Sequence, residues 1–167
     1  ILLRYIPKGE GETLKVADML PNKFEPKREY RWILAVEGID AFLVKTTKRP
    51  SFSISPTKIQ YINSYRHIAG KLDMGDFSLT LHDPIAPSGA QQVMEWIRTH
   101  YESVSGRAGY ADFYKRDVQL KMLDPIGTVV ELWDIKGAFI TSANFNSLDY
   151  SGDEIMTIDL TLKFDNC

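Results

Sequence analysis

Apolar and polar residues alternate most strictly at the C-terminal end of the chain. Met156, Ile158, Leu160, Leu162 and Phe164 are apolar, and Thr157, Asp159, Thr161, Lys163 and Asp165 between them are polar. Successive side chains on a strand point to opposite faces, so this pattern predicts a strand with one buried and one wet face. The pattern recurs upstream. Phe77, Leu79 and Leu81 alternate with Ser78, Thr80 and His82, and Val118, Leu120 and Met122 alternate with Asp117, Gln119 and Lys121. Asp124-Pro125-Ile126-Gly127 reads as a turn, after which Thr128 to Lys136 returns and the strand is expected to break at Gly137-Ala138. A polar segment with a turn at Ser151-Gly152-Asp153 leads into the last strand.

Nearer the front, Tyr30, Trp32, Leu34 and Val36 alternate with Arg31, Ile33 and Ala35. Glu37 to Asp40 then reads as a tight turn, and Phe42 to Thr47 as the returning arm of a hairpin. Arg49-Pro50 interrupts, a short strand runs through Phe52 and Ile54, and Pro56 interrupts again. Lys58 to Leu72 is rich in β-branched and aromatic residues. Counting by twos puts Ile59, Tyr61 and Tyr65 on one face and Ile62 and Ile68 on the other. A strand wetted on one side does not carry apolar residues on both. One helix is predicted. Ser88 reads as its N-cap after Pro84 and Pro87, and Gln91 sits in capping-box position. Val93, Ile97, Tyr101 and Val104, with Trp96 beside them, share a face, and Gly106 and Gly109 are expected to end it. The plan is α+β, mainly β: an antiparallel β-sandwich or barrel with one flanking α-helix. Residues 1–28, with Pro7, Gly9, Gly11, Pro21 and Pro26, read as an extended arm, and 29–167 as a single domain. In the arm, Gly9 to Glu12 reads as a flexible turn, and Leu14, Val16, Met19, Leu20 and Phe24 are residues it could bury against a neighbouring subunit.

Composition narrows the function classes. A chain of 167 residues with 44% hydrophobic and 25% charged residues can bury a real core. A net charge of -2 supplies no electrostatic drive toward nucleic acid. Cys167 is the one cysteine, which points to folding in a reducing compartment. No apolar run approaches the roughly 20 residues of a membrane-spanning helix, so no span is predicted. His67, His82 and His100 have no ligand partner at metal-binding spacing. Asp153-Glu154 reads as turn and solvent chemistry, and Asp73 and Asp76 around Gly75 as a hairpin turn. Tyr61 and Tyr65 could stack on single-stranded nucleic acid, but such platforms sit in basic grooves, so core or subunit-interface aromatics is the better reading. No catalytic residue, cofactor site or metal site is assigned, and the chain is expected to be structural and not an enzyme.

From about Tyr30 to Asp165 the order of elements resembles that of the tail tube proteins of contractile-tailed bacteriophages. The resemblance rests on an opening hairpin, a long β arm, a strand ending near His82-Asp83, and an amphipathic helix carrying Val93-Met94-Glu95-Trp96-Ile97. The closing segment fits with Gly137, Phe139, Leu148-Asp149, Asp153-Glu154 and Phe164-Asp165, although Ile140-Thr141 stands where the family commonly has Pro. The resemblance implies hexameric rings stacked into a hollow tube inside a contractile sheath, the conduit for DNA ejection. Implied partners are further copies of the chain, the sheath protein, and baseplate and tail-terminator proteins. DNA would pass through the lumen without specific binding. The implied location is the virion tail, assembled in the host bacterial cytoplasm. Ile59, Tyr61, Ile62, Tyr65 and Ile68 would then be the subunit interface, since pairing between subunits covers both faces and removes an exposed edge. Asp117, Glu131 and Asp159 are the pool for a neutral-to-acidic bore. Two alternatives are the tube protein, or a baseplate tube-initiator, of a phage-derived injection or type VI secretion apparatus, and, from another class, a monomeric β-barrel that binds a small ligand in a sealed apolar cavity.

Overall fold

The computed structural model describes residues 23–167. The predicted arm lies mostly outside the described residues, as do Gly9 to Glu12 and Leu14, Val16, Met19 and Leu20. Six strands form one antiparallel sheet: β1 (Trp32–Val36), β2 (Val44–Thr47), β5 (Phe77–His82), β8 (Arg116–Leu123), β9 (Val129–Asn144) and β10 (Thr157–Lys163). Their order is β1-β8-β9-β10-β5-β2. The alternation seen in sequence sets which side faces in. Val118, Leu120, Phe77, Leu79, Leu81, Ile158, Leu160 and Leu162 are buried, and the residues between them are not.

One strand belongs to both halves of this sheet and lets it curl. β9 pairs with β8 through Val129–Ala138 and with β10 through Phe139–Asn144. The strand expected to break at Gly137-Ala138 instead bends there and continues. Gly137 takes φ +66, and a Cβ on it would lie 2.3 Å from Oδ2 of Asp165. Only glycine combines that backbone conformation with that closeness, so the bend is written into the sequence. The two halves of the curled sheet face each other over Leu34, Val36, Ile135 and Phe164 as well as the residues above.

The predicted opening hairpin is the main departure. β1 and β2 exist, but they do not pair with each other. β1 lies on β8 and β2 on β5, joined by a tight corner and a single 3-10 turn at Ala41–Leu43. Short-range patterning identifies strands but not their partners; burial of Leu34, Val36 and Leu43 in one core decides the pairing. β1 and β2 therefore become the two open edges of the barrel. The predicted turn around Gly75 is also not a hairpin, because the strands it joins do not pair; the Gly75 amide bonds the Ser51 carbonyl at 2.8 Å.

Helix α1 (Gly89–His100) closes one flank. The Ser88 hydroxyl accepts from the Gln91 amide at 3.4 Å, the predicted cap. The Gln91 side chain turns to Glu95 and does not complete the box. Val93 and Trp96 are buried and Ile97 packs beside them. The helix stops at His100, earlier than the glycines suggested. Tyr101–Glu102 (β6) pairs with Arg107–Ala108 (β7) as a small hairpin with Gly106 at φ +70 in its turn. Val104 points into solvent there, off the helix face assigned to it. A four-residue helix, α2 (Ala111–Tyr114), follows, and the Tyr114 carbonyl accepts from the Trp96 indole at 2.7 Å.

Candidate functional site

The predicted interface residues lie on a hairpin that leaves the barrel. β3 (Phe52–Tyr61) and β4 (Ser64–Met74) pair only with each other, and nearly every residue of both is exposed. Ten residues of strand reach about 30 Å. Pro56 does not interrupt β3; it lies beside a bulge in which Gly70 and Lys71 of β4 stand against Ser55 alone, where a missing ladder donor is tolerated. A Cβ on Gly70 would sit 2.4 Å from the Ser55 carbonyl oxygen.

Register decides which side chains share a face. Tyr61 pairs with Ser64, Ile59 with Arg66, Thr57 with Ile68 and Ile54 with Leu72. Ile59, Tyr61 and Ile68 thus share one face; Gly70 and Lys71 of β4 stand against Ser55 alone, so the count shifts on β4 and not on β3, and Phe52, Ile54 and Leu72 share the opposite face, all six exposed. Tyr65 lies on the other face with Lys58 and His67. Lys58 Nζ is 3.9 Å from the Tyr65 ring centre, and the His67 ring is edge-on to Tyr65 at 5.3 Å. This corrects the expected grouping of Ile59 and Tyr61 with Tyr65. Ile62 belongs to neither face; it is the tip, fully exposed, at φ +37. The turn at Ile62-Asn63 reverses the parity by which β4 must be counted. Asn63 was the local signal for it.

A second feature lies at the open edges. The seam between β1 and β2 is a groove of about 1050 Å³. Trp32, Leu34, Val44, Leu120 and Met122 line its floor, and Lys27, Arg28, Lys45 and Arg49 stand around it with Glu29. Nothing in the sequence pattern announced it, because it exists only if β1 and β2 do not pair. It is open to solvent. The enclosed space beside Trp96 is about 30 Å³, room for a water rather than a ligand.

The bore candidates fall in different places. Asp117 is held 2.8 Å from Lys136, which draws its carboxyl below the ordinary aspartate range. Glu131 is lowered by hydrogen bonds from Lys27 and the Trp133 indole. Asp159 accepts from Thr80 at 2.7 Å on an outward face that also carries Ser78 and Thr161. His67, His82 and His100 lie on β4, on β5 and at the end of α1, and Cys167 is exposed. Among the described residues, no three His, Cys, Asp or Glu converge as metal ligands, and no helix is long and apolar enough to cross a membrane.

No protein-family model matches the chain, and no curated protein matches it. Solved structures do. It is similar to a chain of the tube-terminating cap of the anti-feeding prophage, 19% identical over 90% of this chain and 94% of that one, with a TM-score of 0.71. It is similar to a chain of the sheath/tube terminator of the PVC extracellular contractile injection system, 18% identical over 86% and 96%, with a TM-score of 0.70. In the PVC sheath-tube complex a chain is 17% identical over 92% and 96%, with a TM-score of 0.64. This chain therefore has a tube-protein-like fold, mainly antiparallel β with a short flanking helix. The cap, terminator and sheath-tube complex are structural parts of particles.

Proposed function

We propose that this chain is a self-assembling, non-enzymatic tube component of a contractile injection particle. The observation that carries the proposal is the projecting hairpin. Six large apolar side chains, three on each face, stand exposed on a ribbon that its own barrel does not cover. A two-stranded ribbon is marginal alone in water, and exposed apolar side chains along its length are an aggregation hazard unless another surface takes them. A second copy of the same chain is the economical answer. A hairpin on one side of the barrel docking elsewhere on the next copy is a heterologous contact, which closes into rings and stacks into tubes. Ile59, Tyr61 and Ile68 face the neighbour in this reading, Ile62 reaches beyond it, and Tyr65 lies on the far side.

The similar solved structures include two tube ends and one sheath-tube complex. They favour an injection particle, with a sheath protein and terminator proteins as partners. A contractile phage tail that ejects DNA is the second reading, supported by the closing sequence pattern. The two share a hexameric ring and a bore that must not hold its cargo. The purified chain should form rings of six or filaments in negative-stain micrographs. A chain that stays monomeric at every concentration tested would overturn the proposal.

A further inference from the structure

The closing motif, Leu148-Asp149 with Asp153-Glu154, lies on residues 145–156, the loop between β9 and β10. The loop is shaped. The Asn146 side chain donates to the Thr157 carbonyl at 2.8 Å and hydroxyl at 3.1 Å, pinning its ends together. Asp149 accepts from the Ser151 amide at 3.0 Å and, through its carbonyl, from Gly152 at 3.2 Å. These bonds hold a turn that presents Leu148 at 80%, Tyr150 at 111% and Ile155 at 76% exposure. Three large apolar side chains on one ordered loop are unusual on a free surface. The loop also carries Asp149, Asp153 and Glu154 and no cation, a formal charge of -3.

The seam groove has the opposite character. Lys27, Arg28, Lys45 and Arg49 against Glu29, and Glu131 paired with Lys27, give +4 and -2, a formal +2 around an apolar floor. Arg28, Lys45 and Arg49 make no ion pair among the described residues. The two other candidates for this groove lack the matching charge. The hairpin carries Lys58, Arg66 and Lys71 against Asp73, a formal +2. Residues 1–22 carry Arg4, Lys8 and Lys15 against Glu10, Glu12 and Asp18, a formal zero.

We propose that the acidic loop 145–156 of one copy seats in the basic-rimmed groove between β1 and β2 of a second copy. This rests on the tube reading and adds a second contact to the hairpin. Loop and groove share no residue, so one copy donates and accepts at once and the contact repeats. Leu148, Tyr150 and Ile155 would meet the apolar floor, and Asp153 and Glu154 the cations at the rim. Opposed charges of this kind fix register and suppress wrong pairings.

The test uses the full chain. Asp153→Lys with Glu154→Lys, or Lys45→Glu with Arg49→Glu, should each raise the concentration needed for assembly by about tenfold or more, because like charges then face each other. All four substitutions in one chain should bring it back to within about threefold of the starting value. In a Cys167→Ser background, a mixture of Tyr150→Cys and Thr46→Cys chains should form a disulfide heterodimer well above an Ile126→Cys control. Assembly unaffected by either reversal, or no rescue in the fourfold variant, overturns the inference and leaves the tube reading standing. So does a Thr46→Cys thiol that is protected in the monomer and freed by deleting residues 1–22, which would make that segment the occupant. Failure of the unaltered chain to assemble, with no heterodimer, overturns both readings.

Discussion

Trp96 shows how one side chain ties the flank to the barrel. It is 1% exposed, donates its indole N–H to the Tyr114 carbonyl at 2.7 Å, and carries the Arg116 guanidinium 4.8 Å from its ring centre. Arg116 in turn donates to the Glu37 carbonyl at 2.8 Å, and burial lowers its pKa without threatening its charge. Gly38 completes the arrangement at φ +82, where a Cβ would lie 2.4 Å from the Arg116 nitrogen. The helical spacing in the sequence identified Trp96 as a core residue. It could not supply Tyr114, Arg116 or Gly38, which come from three other elements. Trp96→Ala should lower stability by about 3–5 kcal/mol. Trp96→Phe keeps most of the bulk but leaves the Tyr114 carbonyl without its donor, for a loss of about 1–3 kcal/mol. Urea denaturation checks both. Equal losses for the two variants would mean that the indole hydrogen bond, not packing, dominates.

At the element scale the hairpin shows where reading by pattern succeeds and fails. Lys58 to Leu72 reads as extended, which it is, and its apolar side chains, expected to face a partner surface, stand exposed. Its faces were misassigned, because counting by twos holds along a strand and not across a turn. The bulge at Gly70-Lys71 makes the same kind of shift on β4, and it puts Leu72 with Ile54 on the face away from Ile59 and Tyr61. The opening hairpin failed for a different reason. A tight corner is necessary for two strands to pair, but the core can offer each a better partner. The hairpin faces lead to a contrast. Ile68→Lys should abolish assembly, because it puts a charge on the face it shares with Ile59 and Tyr61. Tyr65→Ser should reduce it much less. Neither should shift the melting temperature of the monomer, since neither side chain touches the core. Sedimentation velocity and thermal melting measure the two effects separately. Equal loss of assembly from both would mean that the ribbon buries both faces, as the sequence alone suggested.

The whole molecule keeps its charges apart from its core. Among the described residues, every fully buried side chain is hydrophobic and every ion pair lies at the surface. That division sets the pH response of the fold. Asp117, Glu131 and Asp149 have carboxyls held below the ordinary range, by Lys136, by Lys27 and by the Ser151 amide respectively. A depressed carboxyl stabilises the fold above its unfolded pKa of about 4, and that contribution is lost as pH falls through the lower folded value. Lys115 and Lys136 are raised by Asp165 and Asp117, so their contribution is present below an unfolded pKa of about 10.4 and lost only above it. The melting temperature of the monomer should therefore be level from about pH 5 to about pH 10 and decline outside that window. The acid decline should be shallow, because these groups are exposed and screened by water and salt while the core has no group to titrate. Assembly should be the more sensitive quantity. If the loop docks as inferred, acid removes its negative charge and separates the copies while each still melts cooperatively. Light scattering and intrinsic fluorescence followed together from pH 7 to pH 3 distinguish the two events. Loss of native fluorescence before loss of the assembled species would show that the subunit fold, and not the contact between copies, is the acid-labile part.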